Sequence, residues 1–147
     1  MIAAQALAGC AAAKVQPPGS PVPKPTVSRT AAPDVLPTAA PEVHLDGTAQ
    51  QNKQYWDWLI QDYVSKVGVG LDAYLSSQLL GAGYDPAMIE MTEDTTPIGS
   101  IADAIDAAVR FGDECLLATV RNGGWATAIA PVLSTGKCLV GTTVPAS

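Results

Sequence analysis

At 147 residues the chain has the length of one ordinary domain, but eight of its twelve prolines fall between Pro17 and Pro41, which leaves about the last hundred residues to build a core. Formal net charge is -6 and unevenly spread: up to His44 three basic residues face two acidic ones, and from Leu45 onward five basic residues face twelve acidic ones. An acidic domain without a Lys/Arg cluster argues against nucleic acid, whose phosphates need concentrated positive charge, and no apolar run approaches the about eighteen residues that span a bilayer.

The first ten residues, MIAAQALAGC, end in Leu7-Ala8-Gly9-Cys10. A small-residue pair before a cysteine is the form of a bacterial lipobox, in which the cysteine is diacylated. Two readings fit. Residues 1–10 are the tail of a lipoprotein signal with Cys10 as the lipidation site, or they are a fortuitous alanine-rich start, since the run is short and lacks a basic region. We favour the first, because two acyl chains give a stable anchor and a tether follows. Residues 11–45 are rich in proline and alanine with no apolar period of 2 or 3.6. Such a segment cannot bury enough surface to offset its ordering entropy and is expected to be a disordered, partly polyproline-II spacer reaching on the order of 100 Å. The only histidine, His44, sits at its end, where a solvated linker residue is expected rather than a catalytic or metal-binding one.

Residues 46–147 are expected to form the domain. Thr48 with Gln51 fits a capping box. Trp56, Leu59, Ile60, Tyr63, Val64 and Val67 then recur on one helical face, ended by Gly68. Tyr55 and Trp58 point off that face. They form either a partner-binding patch or a surface covered by a second layer of the fold. Gly70 to Leu80 spaces Leu71, Tyr74, Leu75 and Leu79 as a second helix, ended by Gly81-Ala82-Gly83. Asp85-Pro86 predicts a turn, Ile89 to Thr92 a strand, and Glu93 to Pro97 an exposed loop.

Between Ser100 and Phe111 a helical spacing of Ile101, Ile105 and Val109 competes with strict alternation from Asp103. Strand is preferred, because Gly112-Asp113 suits a two-residue hairpin that gives Cys115 to Val120 a neighbour. Trp125, Ile129, Val132 and Leu133 fit a short helix kinked at Pro131. Cys138-Leu139-Val140 fits a final edge strand. The expected fold is therefore α+β: two N-terminal helices packed on a small antiparallel sheet, with a disulfide-closed C-terminal helix and edge strand.

With Cys10 set aside for lipid, Cys115 and Cys138 remain as a pair. A bridge between them stabilises an exported domain by roughly 3 kcal/mol on chain-entropy grounds. The rival is two buried reduced thiols in a cytosolic protein, and the compartment argument favours the disulfide.

Chemical motifs are sparse. Ser134-Thr135-Gly136-Lys137 matches S-x-x-K but lies at an expected helix end without companion motifs. Glu90, Glu93, Asp94, Asp103 and Asp106 are oxygen donors for Ca²⁺, yet lack EF-hand spacing, so solvated acidic residues are expected and no metal or cofactor is. One linker histidine leaves no Cys-His or Ser-His pair inside the domain.

Several segments carry a family likeness: Gly83-Tyr84-Asp85, Met91-Thr92, Ala108-Val109-Arg110-Phe111-Gly112-Asp113-Glu114-Cys115-Leu116, and Ala130 through Gly141. Together they resemble an uncharacterised actinobacterial lipoprotein-type domain, domain of unknown function 6993, over roughly the last eighty residues. The resemblance supports the strand at 103–111 and the paired cysteines, and it brings no catalytic residues. The expectation is a non-catalytic binding or interaction module, lipid-anchored at the extracytoplasmic face of the cell membrane. Its partner would be a cell-envelope protein or wall component. The alternative is an envelope-polymer hydrolase using the acidic residues.

Overall fold

The computed structural model describes residues 37–68 and 72–146. Two helices, α1 (Ala49–Lys66) and α2 (Asp72–Gly81), lie on one face of a four-stranded antiparallel meander. Its strands are β1 (Ile89–Met91), β2 (Ala104–Phe111), β3 (Glu114–Arg121) and β4 (Gly124–Pro131), in the spatial order β1-β2-β3-β4.

The capping box opens α1 as expected. The Gln51 amide donates to the Thr48 hydroxyl at 3.3 Å, and the Thr48 amide donates to Gln51 Oε1 at 2.9 Å. Trp56, Leu59, Ile60 and Tyr63 then sink into the core. After α2, the Tyr84 amide bonds the Leu79 carbonyl and the Gly83 amide bonds Leu80, which is the hydrogen-bond pattern of a Schellman end. Asp85 accepts from the Ala87 amide and starts a single 3-10 turn, Pro86–Met88, that leads into β1.

The 103–111 segment is the strand its alternation predicts. β2 pairs with β3 from Ala104↔Arg121 to Phe111↔Glu114. Gly112 closes the turn at φ +58, a conformation that an L side chain rarely adopts and that the primed hairpin turns place at their first central position.

The C-terminal part departs from expectation in two places. Residues 124–131 are a strand and not a helix: β4 pairs with β3 from Arg121↔Gly124 to Glu114↔Pro131, across a second two-residue turn at Asn122-Gly123 with Gly123 at φ +93. The apolar spacing of Trp125 and Ile129 satisfies both periods. Alanine at 126, 128 and 130 tilts propensity toward helix, but pairing with the long β3 overrides it. Pro131 closes the strand on the sheet's edge, where a missing N–H breaks no ladder. Cys138, Leu139 and Val140 form bends rather than an edge strand. Their amides are used elsewhere: Cys138 N and Leu139 N donate to the two oxygens of Glu90 at 2.9 and 3.0 Å.

The pleat divides the sheet into two faces. Toward the helices point Ile89, Met91, Ala107, Val109, Phe111, Leu116, Ala118 and Val120, which meet Trp56, Leu59, Ile60, Tyr63, Leu75, Leu79 and Tyr84. On the outer face Ala108, Cys115 and Cys138 form a small separate cluster with Leu117, Val132 and Leu139.

Candidate functional site

The sites named from sequence scatter. Cys10 lies outside the described residues. Cys115 and Cys138 are joined by a disulfide, with Cα atoms 5.8 Å apart, beneath the outer face. Ser134 and Lys137 sit in an exposed turn closed by Gly136 N to Leu133 O and Leu133 N to Lys137 O, so the S-x-x-K spacing falls in a turn rather than at a helix start. Glu90 is committed to the two amides of residues 138 and 139, and Asp106 accepts from the Thr119 hydroxyl. No three His, Cys, Asp or Glu side chains converge as metal ligands among the described residues.

Of the two readings open for Tyr55, cover by a second layer of the fold is the one that holds. Tyr55 is 7% exposed and lies inside the fold, whereas Trp58 stays half-buried at the surface. The covering layer is an aromatic row. The Tyr55 ring stands 6.0 Å from Trp58 and 6.3 Å from Tyr84, and Tyr84 meets Phe111 edge-on at 6.0 Å. Burial pushes the Tyr55 hydroxyl up from the usual phenol value. Tyr84 is pushed up further, first by burial and then by the neighbouring Tyr55 phenol. Both hydroxyls are therefore held in the neutral form. The Tyr84 hydroxyl donates to Asn52 Oδ1 at 3.2 Å. Asn52 in turn ties down the segment before α1: Oδ1 accepts from His44 N at 2.9 Å, and Nδ2 donates to the His44 and Thr48 carbonyls at 2.8 and 3.0 Å. His44 thus docks by its backbone while its side chain is exposed.

A second polar group was missed from sequence. Lys53 and Asp57, one turn apart on α1, are buried against Thr127 of β4. Lys53 Nζ reaches both Asp57 oxygens and donates to Thr127 Oγ1 at 2.8 Å, and the Thr127 hydroxyl donates to Asp57. A hydroxyl between a carboxylate and an amine resembles an activated nucleophile. At 3% exposure, however, Thr127 is closed to any substrate, and the three groups satisfy one another. The i,i+4 spacing of Lys53 and Asp57 was readable. Their burial was not, because it depends on β4 being a strand.

Among the described residues the large exposed apolar side chains are Leu45, Ile98, Ile101 and Val140, and two of them share one projection. Residues 94–102 form a small closed finger. Ala102 N bonds Asp94 O, Thr96 N bonds Ser100 O, Gly99 N bonds Thr96 O, and Thr95 bridges Ile101. Ile98 and Ile101 stand on it at 88% and 71% exposure. Glu93 and Asp103 flank it and are exposed.

Fold and surface together define a small disulfide-closed α+β domain in which the buried polar groups serve the fold and the apolar finger faces solvent. The chain belongs to the family described as domain of unknown function (DUF6993), whose model matches residues 61–142, more than half of its length. The matched segment omits the first twelve residues of α1, with the capping box, Lys53 and Trp56. No curated protein and no solved structure matches the chain.

Proposed function

We propose that the protein is a lipid-anchored, extracytoplasmic binding module of the actinobacterial cell envelope, without catalytic activity. The binding role rests on the 94–102 finger. Two isoleucines held nearly free of cover by a hydrogen-bonded hairpin are poorly explained by folding and well explained by contact with a partner. Half-buried Trp58 is a further contact residue. The anchor rests on the Leu7-Ala8-Gly9-Cys10 motif and the proline-rich segment behind it, and export is supported by the Cys115–Cys138 disulfide.

Two experiments separate these elements. Metabolic labelling with a fatty acid should mark the wild-type protein in envelope membranes and leave Cys10→Ser unlabelled; equal labelling of both defeats the anchor. For binding, the unacylated Cys10→Ser chain is mixed with purified envelope fractions and sedimented. It should co-sediment, and Ile98→Ser/Ile101→Ser should release it several-fold. A Cys10→Ser chain that stays in the supernatant with every fraction defeats the binding role.

A further inference from the structure

We infer that β4 is a self-association edge: two copies pair β4 against β4, antiparallel, about a two-fold axis at Thr127. Of the two sheet edges, β1 is short and is bridged on its far side by Val144, whereas β4 is eight residues long and pairs outward with no strand among the described residues. Natural edges of this length are guarded by charge, proline or a bulge. Gly124–Pro131 carries no charge and has a single proline, at its last position.

The direction of the free backbone groups follows from the ladder. The residues flanking a two-residue turn form a hydrogen-bonded pair, so Gly124 and every second residue after it direct N–H and C=O toward β3. The phase continues past the strand, where the Val132 amide donates to Asp113 O on the same side at 2.9 Å. Trp125, Thr127 and Ile129 therefore direct theirs outward. Centred on Thr127, the strand is complementary to itself: Trp125 lies opposite Ile129 of the second copy and the reverse, and Ala126 lies opposite Ala128. Both Trp125 and Ile129 are only partly covered in the single chain, and an aromatic against a β-branched residue is a favourable cross-strand pair. Pro131, with no N–H to offer, falls opposite Gly123 in the turn, where the ladder has already ended.

Charge singles out the same edge. Lys53 and Asp57 reach Thr127 while Trp56 Nε1 reaches the Leu117 carbonyl on β3, which places exposed Gln50, Gln54 and Gln61 on the side of α1 beyond β4. That strip is uncharged, so two copies of an acidic chain meet there without like-charge contact. Because α1 rides over β3 and β4 and strands lie about 4.8 Å apart, pairing brings the two α1 helices to about 10 Å, an ordinary helix-packing distance. The strip is about 27 Å long, at the small end for an interface, so the dimer should be weak and concentration-dependent.

Sedimentation equilibrium of the full 147-residue chain with Cys10→Ser tests this. The weight-average mass should climb from one chain toward two over about a hundredfold range of concentration around a micromolar dissociation constant. Ala126→Lys/Ala128→Lys and Ala126→Asp/Ala128→Asp should each stay monomeric with unchanged circular dichroism, and an equal mixture of the two should dimerise again. A wild type that is monomeric throughout, a dimer indifferent to the lysines, or a mixture that fails to reassociate would each overturn the pairing.

Discussion

The two faces of the sheet are stabilised in different ways. The helix face carries a continuous apolar core from Ala49 to Val120, built on Trp56, Tyr63, Leu75, Leu79 and Leu116. The outer face buries only Ala108, Cys115 and Cys138, and the chain from 132 to 140 is held there by directed bonds. The disulfide fixes it at Cys138, Glu90 takes the next two amides, and Arg110 Nη1 donates to the Gly136 carbonyl at 3.1 Å. Where a small domain runs short of apolar surface, a cross-link and a few oriented polar contacts take over the role of packing. Mutations should therefore act globally on the helix face and locally on the outer one.

The largest effect is expected at Trp56. Trp56→Ala opens a cavity under α1 and removes the indole donor from the Leu117 carbonyl, and should lower stability by about 4 kcal/mol. Denaturant unfolding should show one transition shifted as a whole; a shift under about 1 kcal/mol would mean that α1 is not seated on β3. Next comes Lys53→Met, which strands the buried Asp57 carboxylate and should cost about 3 kcal/mol. The triple change Lys53→Met/Asp57→Leu/Thr127→Val removes all three partners together and should recover most of that loss. No recovery would show that the pair does more than satisfy itself.

On the outer face, Glu90→Gln keeps one acceptor and turns the other into a donor facing an amide. It should cost about 1–2 kcal/mol and speed hydrogen exchange at Cys138 and Leu139, with α1 unchanged. The smallest effect is Tyr84→Phe, about 1 kcal/mol at neutral pH from the lost bond to Asn52. Its pH signature is more telling. Because the folded protein raises the Tyr84 phenol above its ordinary value of 10.0, that contribution is full below pH 10 and is lost as pH rises beyond it. Stability of the wild type should fall on the alkaline side, and Tyr84→Phe should flatten the fall. Equal slopes in the two proteins would remove Tyr84 as its source.

Much of this arrangement was legible in the chain. Thr48 and Gln51 announced the start of α1, the spacing of Trp56, Leu59, Ile60 and Tyr63 its buried face, and Gly112-Asp113 the hairpin that decided for strand at 104–111. What escaped was non-local. Trp125 and Ile129 satisfy a helical and a strand period alike, and only the eight-residue ladder with β3 chooses between them. Without that ladder Thr127 has no visible role, and neither the buried Lys53–Asp57 pair nor the edge position of β4 among the described strands can be read. Tyr55 lies off the apolar stripe of α1, and the helical period alone does not say which residue covers it, because Tyr84 lies across α2 and its turn. Cys138 and Leu139 read as a strand because a glutamate supplying ladder acceptors leaves no periodic trace.

The division between the faces is tested most directly by hydrogen exchange on the folded protein with and without reductant. Opening Cys115–Cys138 should cost roughly 3 kcal/mol and release residues 132–140 to fast exchange, while α1, β2 and β3 stay protected. Loss of protection in α1 together with the tail, or a tail unaffected by reduction, would contradict the account.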